Sequence, residues 1–126
     1  MRNRGYSTAR GCRIYQDAQA QTVTNAAVPS AAPAGGLSIA GGPQGGERLI
    51  GALDELRVWT VARTAQDIAD SYTVSLSGLE PGLAAYYRLD EGRGSLARDA
   101  LGGQSIVLVN APLWITSGAP LATADR

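Results

Sequence analysis

Histidine is absent from the 126 residues, and its absence removes several classes of function at once. A chain without histidine has no histidine-based nucleophilic triad, no histidine-containing zinc site and no imidazole to shuttle protons near neutral pH. Phenylalanine is also absent, and 2 Trp and 5 Tyr are the only aromatic side chains. The aromatic supply is therefore thin, both for a core and for sugar-stacking platforms.

Cysteine, net charge and long apolar runs are equally scarce. The single cysteine, Cys12, has no partner for an internal disulfide, and we interpret it as a small buried apolar residue rather than a reactive thiol. Eleven basic residues balance 11 acidic ones, so the formal net charge is zero. That balance predicts neither a nucleic-acid partner nor attraction to an anionic membrane. No apolar run approaches the roughly 20 residues of a membrane-spanning helix, and we expect no membrane insertion.

Length and composition predict one globular domain. Apolar residues make up 44% of the chain and charged residues 17%. The first residues carry two positive charges, Arg2 and Arg4, with no apolar stretch behind them, which is not the pattern of a signal peptide. An export signal, if the protein is secreted, is expected on a longer parent.

Apolar alternation and glycine or proline punctuation predict several short strands. They are expected at residues 12–16, 21–24, 37–40, 48–59, 83–89, 105–109 and 113–116. Asp17 and Ala18 form the predicted turn between the first two, although Ala resists the positive φ of a tight hairpin. Loops are predicted at residues 26–36, 41–46 and 76–82, where glycine, proline and small residues concentrate. This pattern is typical of an all-β, antiparallel β-sandwich.

One short helix is predicted at residues 64–72. Thr64 can serve as its N-cap, and Asp67 three positions later completes a capping box in which Asp replaces Glu. The helix is expected to dock through one apolar face, formed by Ala65, Ile68, Ala69 and Tyr72.

Three acidic residues are candidate calcium ligands. If Leu56 and Val58 face the core, period-two alternation places Asp54 on the core face as well. Glu91 ends the face of the next strong strand in the same way, and Asp99 precedes a glycine pair. A carboxylate on a core face needs a hydrogen bond, a charge partner or a metal, and calcium prefers oxygen ligands. Hydrogen bonds to turn amides, or pairing with neighbouring arginines, explain the same spacing equally well.

A glycosidase interpretation of the acids is weaker. That chemistry needs two carboxylates facing each other across a substrate cleft, and no row of aromatic subsites accompanies them here. We expect Trp59, Tyr86 and Tyr87 to lie in the core, whereas Trp114 and Tyr6 are candidates for exposure. The basic residues near the start are interpreted as a solvated surface; they are Arg2, Arg4, Arg10 and Arg13.

Two segments together resemble a known family. Residues 51–68, GALDELRVWTVARTAQDI, look like the closing strand and following helix of laminin-G-like, concanavalin A-like jelly-roll domains. Residues 82–94, GLAAYYRLDEGRG, look like the opening strand of such a domain, and residues 99–109 look like its continuation. The resemblance covers residues 12–118, but the closing motif precedes the opening one and the family's middle strands are missing.

This order suggests a division of the chain. Residues 1–72 resemble the C-terminal part of a laminin-G-like domain, 73–82 form a linker, and 83–126 resemble an N-terminal part. One interpretation is a fragment that spans the junction between tandem domains. The other, which we favour, is a reduced and permuted single sandwich (residues 1–126) in which strands 53–59 and 83–89 lie side by side.

The resemblance implies a function as well as a fold. Relatives of this type are typically extracellular, non-catalytic modules that bind glycans or proteins, often with a structural calcium ion. Similar sandwiches hold that ion with acids near the first and last strands, and Asp54 and Glu91 match those positions. The alternative is a structural or assembly module with no ligand of its own, forming a homo-oligomer through an open sheet edge.

Overall fold

The computed structural model describes residues 13–21, 37–42 and 48–123. Within them the chain forms eight short strands and one helix. In chain order they are β1 (Ile14–Gln16), β2 (Gln19–Gln21), β3 (Leu56–Trp59), α1 (Ala65–Ser71), β4 (Val74–Ser75), β5 (Leu83–Tyr87), β6 (Leu96–Ala97), β7 (Ile106–Val107) and β8 (Ala122–Thr123). The prediction of an all-β, predominantly antiparallel fold with one short helix is confirmed.

The strands pair two by two. β1 with β2, β3 with β5, and β6 with β7 are antiparallel, whereas β4 and β8 are parallel. A bridge between Tyr87 and Asp99, and a 2.7 Å hydrogen bond from the Ala100 amide to the Tyr86 carbonyl, continue the β3–β5 ladder towards β6. β5 therefore has hydrogen-bonded chain on both sides and is the central strand of the described structure.

The predicted neighbourhood of strands 53–59 and 83–89 is confirmed. Leu56, Arg57 and Val58 lie opposite Tyr87, Tyr86 and Ala85, and the register shifts between Val58 and Trp59. The strand predicted at 48–59 is shorter than expected because Glu55 has a φ of +53°, outside the extended range. β3 accordingly begins at Leu56 rather than at residue 48.

The face of β3 that packs on the core differs from the prediction. Leu56 and Val58 were expected to face inward, yet Val58 is 38% exposed. Trp59 packs instead on the cluster of Leu76, Leu83 and Tyr86. Leu56 is half-buried and Arg57 is also taken inside, where it has partners of its own, so β3 does not follow a simple alternation of buried and exposed side chains.

The hairpin at the start of the described chain has the predicted turn. Asp17 and Ala18 have φ values of +50° and +64°, which is the left-handed pair that a two-residue hairpin needs. β2 begins at Gln19 rather than residue 21, and residues 22–24 lie outside the described residues. The strand predicted at 37–40 does not form. The Leu49 amide donates a 2.9 Å hydrogen bond to the Ala40 carbonyl.

The later strands are shorter than predicted or lie elsewhere. Residues 105–109 contain only the two-residue β7, and residues 113–116 contain no strand. β4, β6 and β8 were not predicted, since two-residue strands carry too little alternation to be recognised. The Cys12 prediction falls outside the described residues.

Helix α1 confirms the capping prediction. The Thr64 hydroxyl accepts from the Asp67 amide, and the Asp67 carboxylate accepts from the Thr64 amide, both at 3.0 Å. The predicted docking face is wrong in part: Ala65 and Ala69 are exposed and Tyr72 is 48% exposed, so Ile68 is its only half-buried member. At seven residues, α1 is far too short to cross a bilayer, and the described residues contain no helix that could do so.

A glutamate and a glycine stabilise the turn between β4 and β5. Glu80 accepts from the amides of Ser77 and Gly78, each at 2.9 Å. Gly82 has a φ of +84°, and a Cβ there would lie 2.8 Å from a methyl of Val61, so only glycine fits. Leu76 and Leu83, near the two ends of this turn, pack in one cluster.

Acid should weaken this turn. Burial tends to raise the pKa of Glu80, but the amide donors outweigh it and leave that pKa below its ordinary value. The resulting stability is present above the unfolded pKa of about 4.3 and is lost as pH falls through the lower folded value. We expect Glu80→Gln to lower the melting temperature at neutral pH and to reduce its fall between about pH 6 and about pH 3. An identical acid slope in both proteins, followed by circular dichroism, would contradict this role.

Candidate functional site: a groove beside the paired strands

Tyr86 organises the base of the site. It is fully buried, and its hydroxyl donates to Glu55 at 2.5 Å while accepting from the Leu76 amide at 3.1 Å. The guanidinium carbons of Arg57 and Arg88 lie 5.7 and 4.8 Å from the centre of its ring, within cation–π range. Burial, and then the bond to Glu55, raise the pKa of the Tyr86 hydroxyl. The Tyr86 hydroxyl therefore keeps its proton and donates a hydrogen bond to Glu55.

Glu55 and Arg57 form a nearly buried ion pair against this ring. Their side chains are 12% and 11% exposed, and the charged atoms are 3.0 Å apart. Arg57 also donates to the Ser71 carbonyl at 2.8 Å and to the Val74 carbonyl. Through Arg57, the pair connects β3 to the end of α1 and to β4. Glu55 and Arg57 therefore serve to hold the fold together.

Above this base lies an open groove of about 630 Å³. This volume is in the range of small-ligand sites. Its polar lining includes Asp54, Arg88, Asp90 and Ser117, and Trp114 supplies the aromatic side chain. One wall is the irregular segment 114–121, and the other comes from residues 52–55 and 88–92.

The irregular wall is held by side-chain hydrogen bonds. The Trp114 indole donates to the Gly94 carbonyl at 2.9 Å, and the Ser117 hydroxyl donates to Asp54. Beyond the wall, the Ala122 amide donates to the Thr73 carbonyl at 2.8 Å, where β8 joins β4. The half-buried indole is therefore anchored by its polar edge while it lines the groove.

The three predicted calcium ligands lie in different surroundings. Asp54 lines the groove, whereas Glu91 lines a second hollow of about 490 Å³ with Arg93 and Arg98. Glu91 accepts from the Arg98 amide at 2.6 Å. In the described parts of the chain, no three acidic, cysteine or histidine side chains come close enough to hold a metal ion. Asp54, Glu91 and Asp99 therefore do not form a three-residue cluster.

Asp99 ties the turn after β6 to β5. Its carboxylate accepts from the Tyr86 amide at 3.0 Å and from the Leu101 amide at 2.9 Å. Burial tends to raise the pKa of Asp99, but these amides and that of Gly103 outweigh it and lower the pKa. A Cβ on Gly103 would clash with this carboxylate, which explains the glycine. Glu91, with its bond from the Arg98 amide, shows the backbone hydrogen bonding that was the alternative to calcium for Asp54 and Glu91.

The residues present therefore do not fit a shared calcium cage, and the calcium site stays a prediction. An ion bound only by the native state would add about 2.7 kcal/mol to the free energy of unfolding at a free concentration 100 times the Kd. The melting temperature would rise accordingly. Melting curves in calcium and in excess chelator give the check. Coincident curves would discard the site.

Comparison with known proteins adds the family. A laminin G-like family model, described as the concanavalin A-like lectin/glucanases superfamily, matches residues 5–69, just over half of the chain. The chain belongs to this superfamily. No curated protein and no solved structure matches it. The match includes the closing motif at 51–68 and ends before the segment at 82–94 that resembles an opening strand.

Membership of the concanavalin A-like superfamily supports a general binding or structural module. The sequence had pointed to two parts of the groove without joining them: Asp54 as a ligand and Trp114 as a candidate for exposure. Ser117 was missed, since nothing in its neighbours marks it. The Glu55–Arg57–Tyr86 network was missed although the alternation of Glu55, Arg57 and Trp59 could have indicated it. The predicted loops at 26–36 and 41–46 lie mostly outside the described residues.

Proposed function

We propose that this chain is a non-catalytic, extracellular binding module of laminin G-like type that takes a glycan in the groove beside β3 and β5. The observation that carries the proposal is the anchored Trp114 ring beside Asp54, Arg88 and Asp90 in one groove. Aromatic faces stack on apolar faces of sugar rings, and charged side chains accept or donate hydrogen bonds to hydroxyls. Laminin G-like domains typically work outside the cell as parts of larger proteins, and that setting is part of the proposal.

The acids of the groove support binding more than hydrolysis. A glycosidase needs one carboxyl group as proton donor and a second as nucleophile or base. Glu55 is committed to Arg57 and Tyr86, and Asp54 accepts the Ser117 hydroxyl. Glu55 is thereby committed to the structure, and the Ser117 hydroxyl holds Asp54 as a hydrogen-bond acceptor. We expect the module to bind oligosaccharides without releasing new reducing ends from them.

The test is a glycan array followed by titration of its hits at about 100 µM protein, which detects the weak end of the affinity scale. Trp114→Ala should weaken binding at least about tenfold, the effect of losing a central aromatic contact. Tyr72→Ala is the matched control, because Tyr72 is 48% exposed and lies outside the groove lining. Asp90→Ala provides a second groove variant if the loss of the Trp114–Gly94 bond disturbs folding. An array without hits would contradict the proposal.

An assembly module is the second candidate, favoured by exposed apolar residues around β7. Val107 in β7 is 64% exposed, and Val109 just after it is 70% exposed. Among the described strands, β7 pairs only with β6, which leaves its other edge open. Homo-oligomers through this edge should appear in light scattering and dissociate in Val107→Lys. A monomer at all concentrations would remove the candidate.

A further inference from the structure

The charges of the groove are unevenly compensated. Glu55 is neutralised by Arg57, which leaves Asp54 and Asp90 as the acids of the lining and Arg88 as its cation. Asp54 accepts the Ser117 hydroxyl, which satisfies a hydrogen bond but leaves the negative charge. Asp90 is exposed at the end of the segment that follows β5. The groove therefore presents two uncompensated carboxylates for one guanidinium.

Arg88 is held in place by the protein. It donates to the Leu76 carbonyl at 3.2 Å, and its guanidinium lies over the Tyr86 ring. These contacts fix it on the floor of the groove. Its single charge can offset one carboxylate at most, so the side chains that line the groove carry a net negative charge.

We infer that the groove selects uncharged sugars and discriminates against acidic ones, that is, sulfated sugars or uronic acids; this inference rests on the proposed function. Sugar hydroxyls can donate to Asp54 and Asp90 and accept from Arg88, while a sugar ring stacks on Trp114. A sulfate or carboxylate in the same place meets like charge. Repulsion between unit charges about 4 Å apart ranges from about 1 kcal/mol in water upward, which is at least about fivefold in affinity.

The experiment titrates the whole chain with two sets of hexasaccharides. The neutral set contains malto-, cello- and mannohexaose, and the acidic set contains a heparin hexasaccharide and hexagalacturonate. The best neutral ligand should bind at least about fivefold more tightly than either acidic one at low salt. Raising the ionic strength to about 0.5 M should narrow this ratio, because exposed charges are then screened.

Charge variants connect the selectivity to the groove. Asp90→Asn should reduce the neutral-to-acidic ratio, and Asp90→Lys should reduce it further. Asp70→Asn and Asp70→Lys are the matched controls: Asp70 is an exposed helix residue outside the groove lining, and these variants change net charge equally. The inference is supported if the neutral-to-acidic affinity ratio falls in both Asp90 variants and in neither Asp70 variant. If Asp90→Lys does not fold, Asp90→Asn and the salt series carry the test.

The outcomes separate this inference from the function on which it rests. Tighter binding of an acidic sugar by the unmodified chain overturns the selectivity and leaves the binding module intact. Equal ratios in the Asp90 and Asp70 variants also overturn it, because the groove charges then do not set the preference. Binding of neither set overturns both proposals.

Discussion

Arg57→Met is expected to lower the free energy of unfolding by about 3–5 kcal/mol, the usual cost of leaving one charge of a buried pair without its partner. Glu55 would keep the Tyr86 hydroxyl as a donor but lose the guanidinium 3.0 Å away. The carbonyls of Ser71 and Val74 would lose their donor as well. Urea unfolding followed by circular dichroism measures the change.

The double variant Glu55→Gln/Arg57→Met distinguishes loss of charge balance from loss of volume. Glutamine keeps an acceptor for the Tyr86 hydroxyl and carries no charge, so the double variant should recover part of the stability that the single variant loses. If both variants are equally unstable, the bonds to Ser71 and Val74 dominate and the pair itself contributes little. If Arg57→Met alone fails to fold, a folded double variant still supports the charge argument.

Leu83→Ala is expected to cost about 2–5 kcal/mol, the range for truncating a buried leucine. Leu83 is 9% exposed and packs with Leu76 and Tyr86 in a small cluster. The described residues bury few other apolar side chains, namely Tyr87 and Ala97, so neighbouring groups have little material with which to refill the cavity. Thermal melting or urea unfolding gives the measurement.

Leu79→Ala is the matched control for this change. It removes the same atoms four residues earlier in the same turn, at a position that is 88% exposed. A surface substitution of this kind usually changes stability by no more than about 0.5 kcal/mol. Similar losses in both variants would show that Leu83 is not part of the stabilising core.

A small core also explains why these contacts matter. Native domains have only about 5–15 kcal/mol of net stability, so losing one core leucine or one buried charge partner is a large fraction of the total. Apolar residues such as Ile50, Leu113 and Leu79 are almost fully exposed and contribute little burial. The ion pair and the hydrogen bonds to Tyr86 therefore specify an arrangement that apolar packing alone leaves weakly determined.

Local features of the chain were predictable because a few adjacent residues determine them. The capping box of Thr64 and Asp67, the left-handed turn at Asp17 and Ala18, and the break after β5 all follow from side chains within four positions of one another. The pairing of β3 with β5 was predicted from the resemblance to laminin-G-like domains. The short strands β4, β6 and β8 were not predicted, because their partners lie outside any local pattern.

The sequence alone established an all-β chain with one capped helix, since alternation and capping are local properties, and its resemblance to laminin-G-like domains indicated the two neighbouring strands. Only the tertiary structure decided that Arg57 lies inside, because the Tyr86 ring and the carbonyls of Ser71 and Val74 that contact its guanidinium come from distant parts of the chain. The tertiary structure likewise brought Trp114 to the same groove as Asp54. Contacts between residues some 60 positions apart, such as Ser117 and Asp54, leave no trace in spacing or composition.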